Sequence, residues 1–325
     1  MQAFARSIPP GTGSLGARAR ASTVKAGVRD NASGTVAARG ELPPSATSSG
    51  GLSRENGLVV DVVEVFPEMP ARAPDVDDSF ASTTLRRDLW VADYLPHWTT
   101  PGRSRARYEM TGASGLRLLI EEDQLDWREE DAPLRVSNLQ TGVFSGPVGS
   151  ERGTHRHRPD GLTVLSATPE RLLWAPSAGR IDVRVSASVD EGCMLAAWLV
   201  GAENLSPQHS GEICIFEIDS TAIGRGETRA RCGLKAHSDD SLVTDMVEVV
   251  VPVDASLPHT WSVIWGPEGT VIGCEGVVVK RSALAPNYPL FLMLDLFEIG
   301  PRSTTDGAYP KTAFIHSVRG WDGPE

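Results

Sequence analysis

The chain has no surplus of positive charge, no long apolar run and no paired cysteine pattern, and each absence removes a class of function. Across 325 residues the formal net charge is −11. Nucleic acid and anionic membrane surfaces both recruit basic patches, so neither is expected as a partner. No apolar run approaches the roughly 18 residues that a membrane-crossing helix needs. The longest candidate, from Tyr288 to Phe297, is short and contains Asp295, so it reads as a buried strand. The four cysteines, Cys193, Cys214, Cys232 and Cys274, show neither a CxxC nor a His–Cys spacing. No zinc site follows from them. Cys193, Cys214 and Cys274 lie in strand-like stretches, where a thiol commonly serves as a small buried hydrophobe. Reduced thiols point to the cytoplasm, although a Cys193–Cys214 disulfide between neighbouring strands stays open. The chain also lacks a Gly-x-Ser-x-Gly nucleophile elbow and a phosphate-cradling glycine loop. His155 and His157 sit in a polar stretch with no further ligands in view, so a solvated loop is expected there. No cofactor and no metal is expected anywhere.

What the sequence does contain is turn and strand chemistry. It holds 23 Pro and 32 Gly, enough punctuation for many short strands. β-branched runs such as Ile181 to Val185 and Val247 to Val253 alternate with turn signals such as Gly146-Pro147 and Gly266-Pro267. No helical period and no internal repeat stand out. The pattern is that of an all-β protein, a two-sheet antiparallel sandwich of the jelly-roll kind. Residues 1–56 are different: Ala, Ser, Gly, Thr and Arg dominate without any apolar period. They are expected to be a disordered low-complexity extension or the product of a misassigned start, ahead of an organelle transit segment. The segment lacks the apolar core of a secretory signal. Order is expected from about residue 57, with Leu58 to Phe66 as an edge or closing strand, and a single β domain over 57–323 acting as a monomer.

The stretch Gly211-Glu212-Ile213-Cys214-Ile215-Phe216-Glu217 carries the chemistry. Glu212 and Cys214 are two apart and share one face of a strand. Glu217, five residues from Glu212, would face the other way in a regular strand. A β-bulge near Ile215-Phe216 returns it to the Glu212 face and leaves the apolar residues on the other. Two extended glutamates can then bring their carboxyls to roughly 5–6 Å, the separation that a retaining glycosidase uses. Aromatic residues supply a second clue. Tyr94 and Trp98 fall in one crowded stretch with Trp90 and His97, and flat rings of this kind stack on sugar faces. Trp90, Trp261 and Trp265 read as core.

These segments together resemble glycoside hydrolase family 16, the laminarinase and lichenase group. Its nucleophile strand runs Gly-Glu-Ile-Asp-Ile-x-Glu, and residues 211–217 lie over it with Cys214 in the place of the middle Asp. Gly179 to Arg184 resembles the family's Gly-x-x-Glu-x-Arg strand, and Ala196-Ala197-Trp198-Leu199 its Ala-x-Trp-Leu strand. His259 to Trp265, Cys274-Glu275-Gly276 and Phe314 to Arg319 match later segments in the same order. The resemblance covers about residues 76–321. It implies a concanavalin A-like jelly roll and a retaining endo-glycosidase that hydrolyses a β-linked, glucan-like polysaccharide. Glu212 would then be the nucleophile and Glu217 the acid, then base, with Cys214 between them. Trp198, Trp98, Tyr94 and His237 would contact the sugar. The alternative is a lectin-like module that binds carbohydrate on the same fold without turnover.

Overall fold

In the computed structural model, which describes residues 64–158 and 161–323, almost every apolar alternation becomes a strand. Numbered in chain order, the strands form two large antiparallel sheets. The eight-stranded sheet runs β14 (Val277–Ser282), β13 (Gly269–Cys274), β12 (His259–Gly266), β7 (Gly179–Ser186), β16 (Lys311–Asp322), β3 (Leu116–Ile120), β2 (Arg107–Met110), with β1 (Val76–Asp78) on β16. The six-stranded sheet runs β11 (Asp245–Val251), β10 (Thr228–Lys235), β9 (Glu212–Asp219), β8 (Cys193–Gly201), β15 (Leu290–Ile299), β4 (Leu134–Gln140). A small pair, β5 (Gly142–Val143) and β6 (Arg171–Leu172), stands apart. The all-β, two-sheet antiparallel sandwich expected from the sequence is the fold observed. The proposed boundary near residue 57, the extension before it and most of the Leu58 to Phe66 strand lie outside the described residues. Within them, Val65 bridges Val277, and the Phe66 N–H bonds the Gly276 carbonyl.

Side-chain alternation sets the inner layer. Ile181, Val183 and Val185 of β7 and Trp261, Val263 and Trp265 of β12 meet Leu195, Ala197 and Leu199 of β8 and Leu290, Leu292, Leu294 and Leu296 of β15. Period-two placement puts these residues on facing surfaces, and burying them supplies the main driving force for stacking the sheets. Trp90, expected in the core, is fully buried there, and its ring nitrogen donates to Asp78 at 2.9 Å.

A second apolar cluster lies on the opposite face of the six-stranded sheet. Met194, Ala196, Trp198 and Val200 of β8 and Phe291, Met293 and Phe297 of β15 point away from the sandwich core. Tyr94, Leu95, Trp98, Trp127, Leu162 and Val164 cover them. Much of the face that would otherwise meet water is therefore closed by connecting segments. The functional candidates sit where this cover ends, on β9 and β10.

Candidate functional site

β9 contains the bulge that the glutamate spacing demands. Ala197 of β8 pairs with Phe216, while the next residue, Trp198, pairs with Cys214, so Ile215 is the extra residue. On the other side Arg231 pairs with Glu217 and Gly233 with Cys214. Ile215 and Phe216 are both in the inner core, which the bulge permits, and Glu212, Cys214 and Glu217 emerge together on the opposite face. Gly233 has a φ of 138°, and a Cβ there would lie 2.1 Å from the Asp245 carbonyl oxygen. A side chain at 233 would collide with the next strand just where the irregular pairing needs close approach.

β10 answers the two acids with two cations. The Lys235 ammonium lies 2.9 Å from Glu212 Oε1 and 2.7 Å from Glu217 Oε1. Both oxygens lie within 3 Å of one nitrogen, so they are less than about 6 Å apart, a bound that admits the roughly 5–5.5 Å of retaining glycosidases and excludes the wider spacing of inverting ones. Arg231 donates from Nε to Glu217 Oε2 at 2.9 Å and also pairs with Asp219. The Lys235 ammonium further sits 5.1 Å from the centre of the Trp198 ring.

Glu212 is fully buried. Burial alone would oppose its ionisation, but the Lys235 charge and a bond from His237 outweigh it and hold the carboxyl well below the usual range. Cys214 is shifted the other way, although Lys235 favours its ionised form too. Burial first, then the charge of Glu217, push its thiol well above the ordinary value, so it is a neutral SH whose sulfur lies 3.6 Å from the Arg231 carbonyl.

Histidines complete the site. His237 Nε2 donates to Glu212 Oε2 at 3.1 Å, and His155 Nδ1 lies 3.8 Å from the same oxygen. The His155 ring stacks over Trp198 with centroids 6.1 Å apart. Burial lowers the His155 pKa to about 3, so the ring is neutral at ordinary pH. Its backbone N–H donates to Glu203 Oε1 at 2.6 Å, and burial raises that carboxyl to about 8. His155, Glu203 and His237 have φ of 54°, 53° and 49°. Two of these residues contact the Glu212 carboxylate and the third holds the His155 backbone, so neighbours enforce a strained backbone beside the site.

The expected sugar contacts are placed differently from one another. His237 is at the site, with its side chain 21 % exposed. Trp198 is on the site's face, but His155 and Lys235 cover it and its exposure is 1 %. Tyr94 and Trp98 present no surface to a ligand. Tyr94 packs edge-on against Trp127 and Phe297. Trp98 is fully buried and donates from its ring nitrogen to the Thr154 carbonyl at 3.0 Å. His97 Nε2 bonds that same oxygen at 2.9 Å. These two rings therefore anchor the residue before His155. The solvated loop expected for His155 and His157 is corrected: both are buried, because Thr154 is pinned and His157 bonds Asp131.

Sequence reasoning missed Lys235 and Arg231. The signal was present: Arg231 and Lys235 flank Gly233 in the strand after the glutamates, and Lys235 is one of four lysines in the chain. Opposite charges facing one another across neighbouring strands are a recognised stabilising pair. All four cysteines are free and buried, so Cys193 and Cys214 are not bridged.

No family model and no curated protein matches the sequence. Solved structures do. The chain is similar to a GlcNAcα1-4Gal-releasing endo-β-galactosidase from Clostridium perfringens at 22 % identity and a TM-score of 0.65, over 79 % of this chain and 65 % of that one. This chain thus spans slightly less than two thirds of that enzyme. It is also similar to a non-specific endo-β-1,3(4)-glucanase from family GH16, at 15 % identity and a TM-score of 0.54, over 80 % of this chain and 98 % of that one. The laminarinase catalytic domain from Thermotoga maritima matches at 14 % identity and a TM-score of 0.51, over 78 % and 98 %.

Proposed function

We propose that the protein is a retaining endo-glycosidase acting on a β-linked polysaccharide, a fold shared with the GH16 glucanase being the starting point of that reading. The observation that carries it is the pair of carboxylates less than about 6 Å apart on one face of β9, the spacing of double displacement. Glu212 is held ionised and suits the nucleophile: attack at the anomeric carbon would give a glycosyl-enzyme ester. Glu217 would protonate the departing oxygen and then take a proton from water as that ester is hydrolysed. Lys235 stands between the two acids, so a sugar ring must move its ammonium aside, which also frees Glu217 from one of its two cations. The neighbours act on β-galactosidic and β-glucosidic bonds, so the test panel should span both.

A second reading, carbohydrate binding without turnover, is favoured by one specific feature: Lys235 pairs with both acids at once. Reducing-end release and polysaccharide gel shift, measured on the same panel for wild type and Glu212→Gln, separate the two. Release by wild type alone supports the hydrolase. Retarded migration with no release by either protein supports the binding module and removes the hydrolytic reading.

A further inference from the structure

The groups over Glu212 have the composition of a metal site. His155, Glu212 and His237 each offer one ligand atom, and the three atoms lie within 4.8 Å of one another. From Glu212 Oε2 the nitrogens are 3.1 Å and 3.8 Å away. Zinc holds nitrogen and oxygen ligands at about 2.0–2.2 Å in a tetrahedron, which sets neighbouring ligand atoms roughly 3.3–3.6 Å apart. The two separations from Glu212 bracket that range. The two imidazoles need to close by little more than about 1 Å to match it, within reach of the part-exposed His237 side chain.

We propose that His155, His237 and Glu212 bind one divalent ion of the zinc class, leaving the fourth position to water or a ligand hydroxyl. Two imidazoles and a carboxylate suit such a borderline ion, whereas calcium and magnesium prefer all-oxygen shells. The ligands are held from outside. Glu203 fixes the His155 backbone, and Thr154, accepting from His97 and Trp98, fixes the residue before it. Lys235 pairs with Oε1, the other oxygen of Glu212, and orients the carboxylate, while the ion would replace the Nε2 proton that His237 gives to Oε2, leaving that ring protonated on Nδ1. The Lys235 charge nevertheless repels a dication. If Glu212 is the nucleophile proposed above, an ion on Oε2 removes the lone pair that attack requires, and zinc inhibits. That consequence rests on the hydrolase reading; binding of the ion does not.

The test is calorimetric titration of the tag-free, chelator-treated full chain with Zn2+, alongside the visible spectrum with Co2+. One ion per chain is expected, with tetrahedral cobalt bands that Ca2+ does not displace. His237→Ala and Glu212→Gln should each weaken binding by more than about 100-fold, since loss of mere outer-shell partners already costs 10–100-fold. Lys235→Met should tighten it by at least about tenfold, the value for a dication and an ammonium about 5 Å apart if screened as in water. No Zn2+ binding by wild type, or binding that His237→Ala and Glu212→Gln both retain, overturns the site. Should the variants fail to fold, the wild-type Co2+ spectrum still decides, because octahedral bands alone refute a His2Glu tetrahedron. Calorimetry reads the ion whether or not any polysaccharide is cleaved, so either reading can fail without the other.

Discussion

Lys235→Met tests whether the two acids are held as a pair of anions. Lys235 is the shared counter-charge of Glu212 and Glu217, whose side chains are only 1 % and 6 % exposed. Removing one partner from a buried ion pair costs about 3–5 kcal/mol. The Lys235 side chain is itself 24 % exposed, and His237 and Arg231 remain on the acids, which places the loss near the lower end, about 3 kcal/mol. At about 2 °C per kcal/mol for a domain of this size, the melting temperature should fall by about 6 °C at pH 7.

The pH dependence separates charge from packing. A carboxyl whose pKa is lowered on folding contributes stability above its unfolded value, here 4.5, and that contribution is lost as pH falls through the lower folded value. Without Lys235 the lowering of Glu212 is largely gone. The wild-type advantage should therefore be full at pH 7 and shrink once pH falls below the unfolded value of Glu212, to less than half by about pH 3. Thermal unfolding followed by circular dichroism across that range measures it. An equal loss at every pH would refute the electrostatic account and assign the cost to the lysine stem packed over Trp198.

Glu212→Gln keeps the shape of the side chain but cannot attack, so hydrolysis should disappear while polysaccharide binding stays within a few-fold; equal turnover by the two proteins removes Glu212 from the mechanism. Cys214→Asp buries a further carboxylate in a fully enclosed position beside two cations, Lys235 and Arg231, that are already shared by Glu212, Glu217 and Asp219. A loss of several kcal/mol in urea unfolding with no gain in turnover is expected; a gain near tenfold, about 1.4 kcal/mol of barrier, would show instead that the thiol weakens the site. Trp98→Ala should cost about 3–5 kcal/mol of stability as a core truncation and loosen Thr154. A raised KM with unchanged melting temperature would return Trp98 to the sugar.

Legibility in the sequence followed the range of the interactions. The bulge in β9 was readable because it is local: two acids five apart and two adjacent core residues, Ile215 and Phe216, cannot all be satisfied by a regular strand. The core placement of Trp261 and Trp265 followed from alternation, and that of Trp90 from the large apolar area of its ring. The burial of His155 did not, because it depends on a bond from Trp98 to Thr154 across 56 positions of chain. Polar residues flank His155, and composition gives no hint that Glu203 accepts its backbone N–H. Trp98 was misplaced for the same reason. Its indole offers one donor and a large apolar body, and those properties suit a core anchor as well as a sugar platform.

β15 explains why the site is confined to one end of its sheet. Leu290, Leu292, Leu294 and Leu296 fill the inner core, yet Phe291, Met293 and Phe297 on the other face are apolar too. A strand with one wet face would alternate, so this strand requires cover on both sides. Tyr94, Leu95 and Trp98 provide that cover over β8 and β15, whereas β9 and β10 carry acids and cations that cannot be sealed by apolar side chains at tolerable cost. The partly exposed groups at the site are accordingly Arg231, Lys235 and His237, each about one-fifth open. Any ligand reaching Glu212 must first meet these three side chains. Two of them are cations already engaged with carboxylates, and the third points at the nucleophile candidate. Selectivity for a substrate or an ion therefore depends on which of these pairings the newcomer can replace, and the contacts of Lys235 with both acids make it the one that matters most.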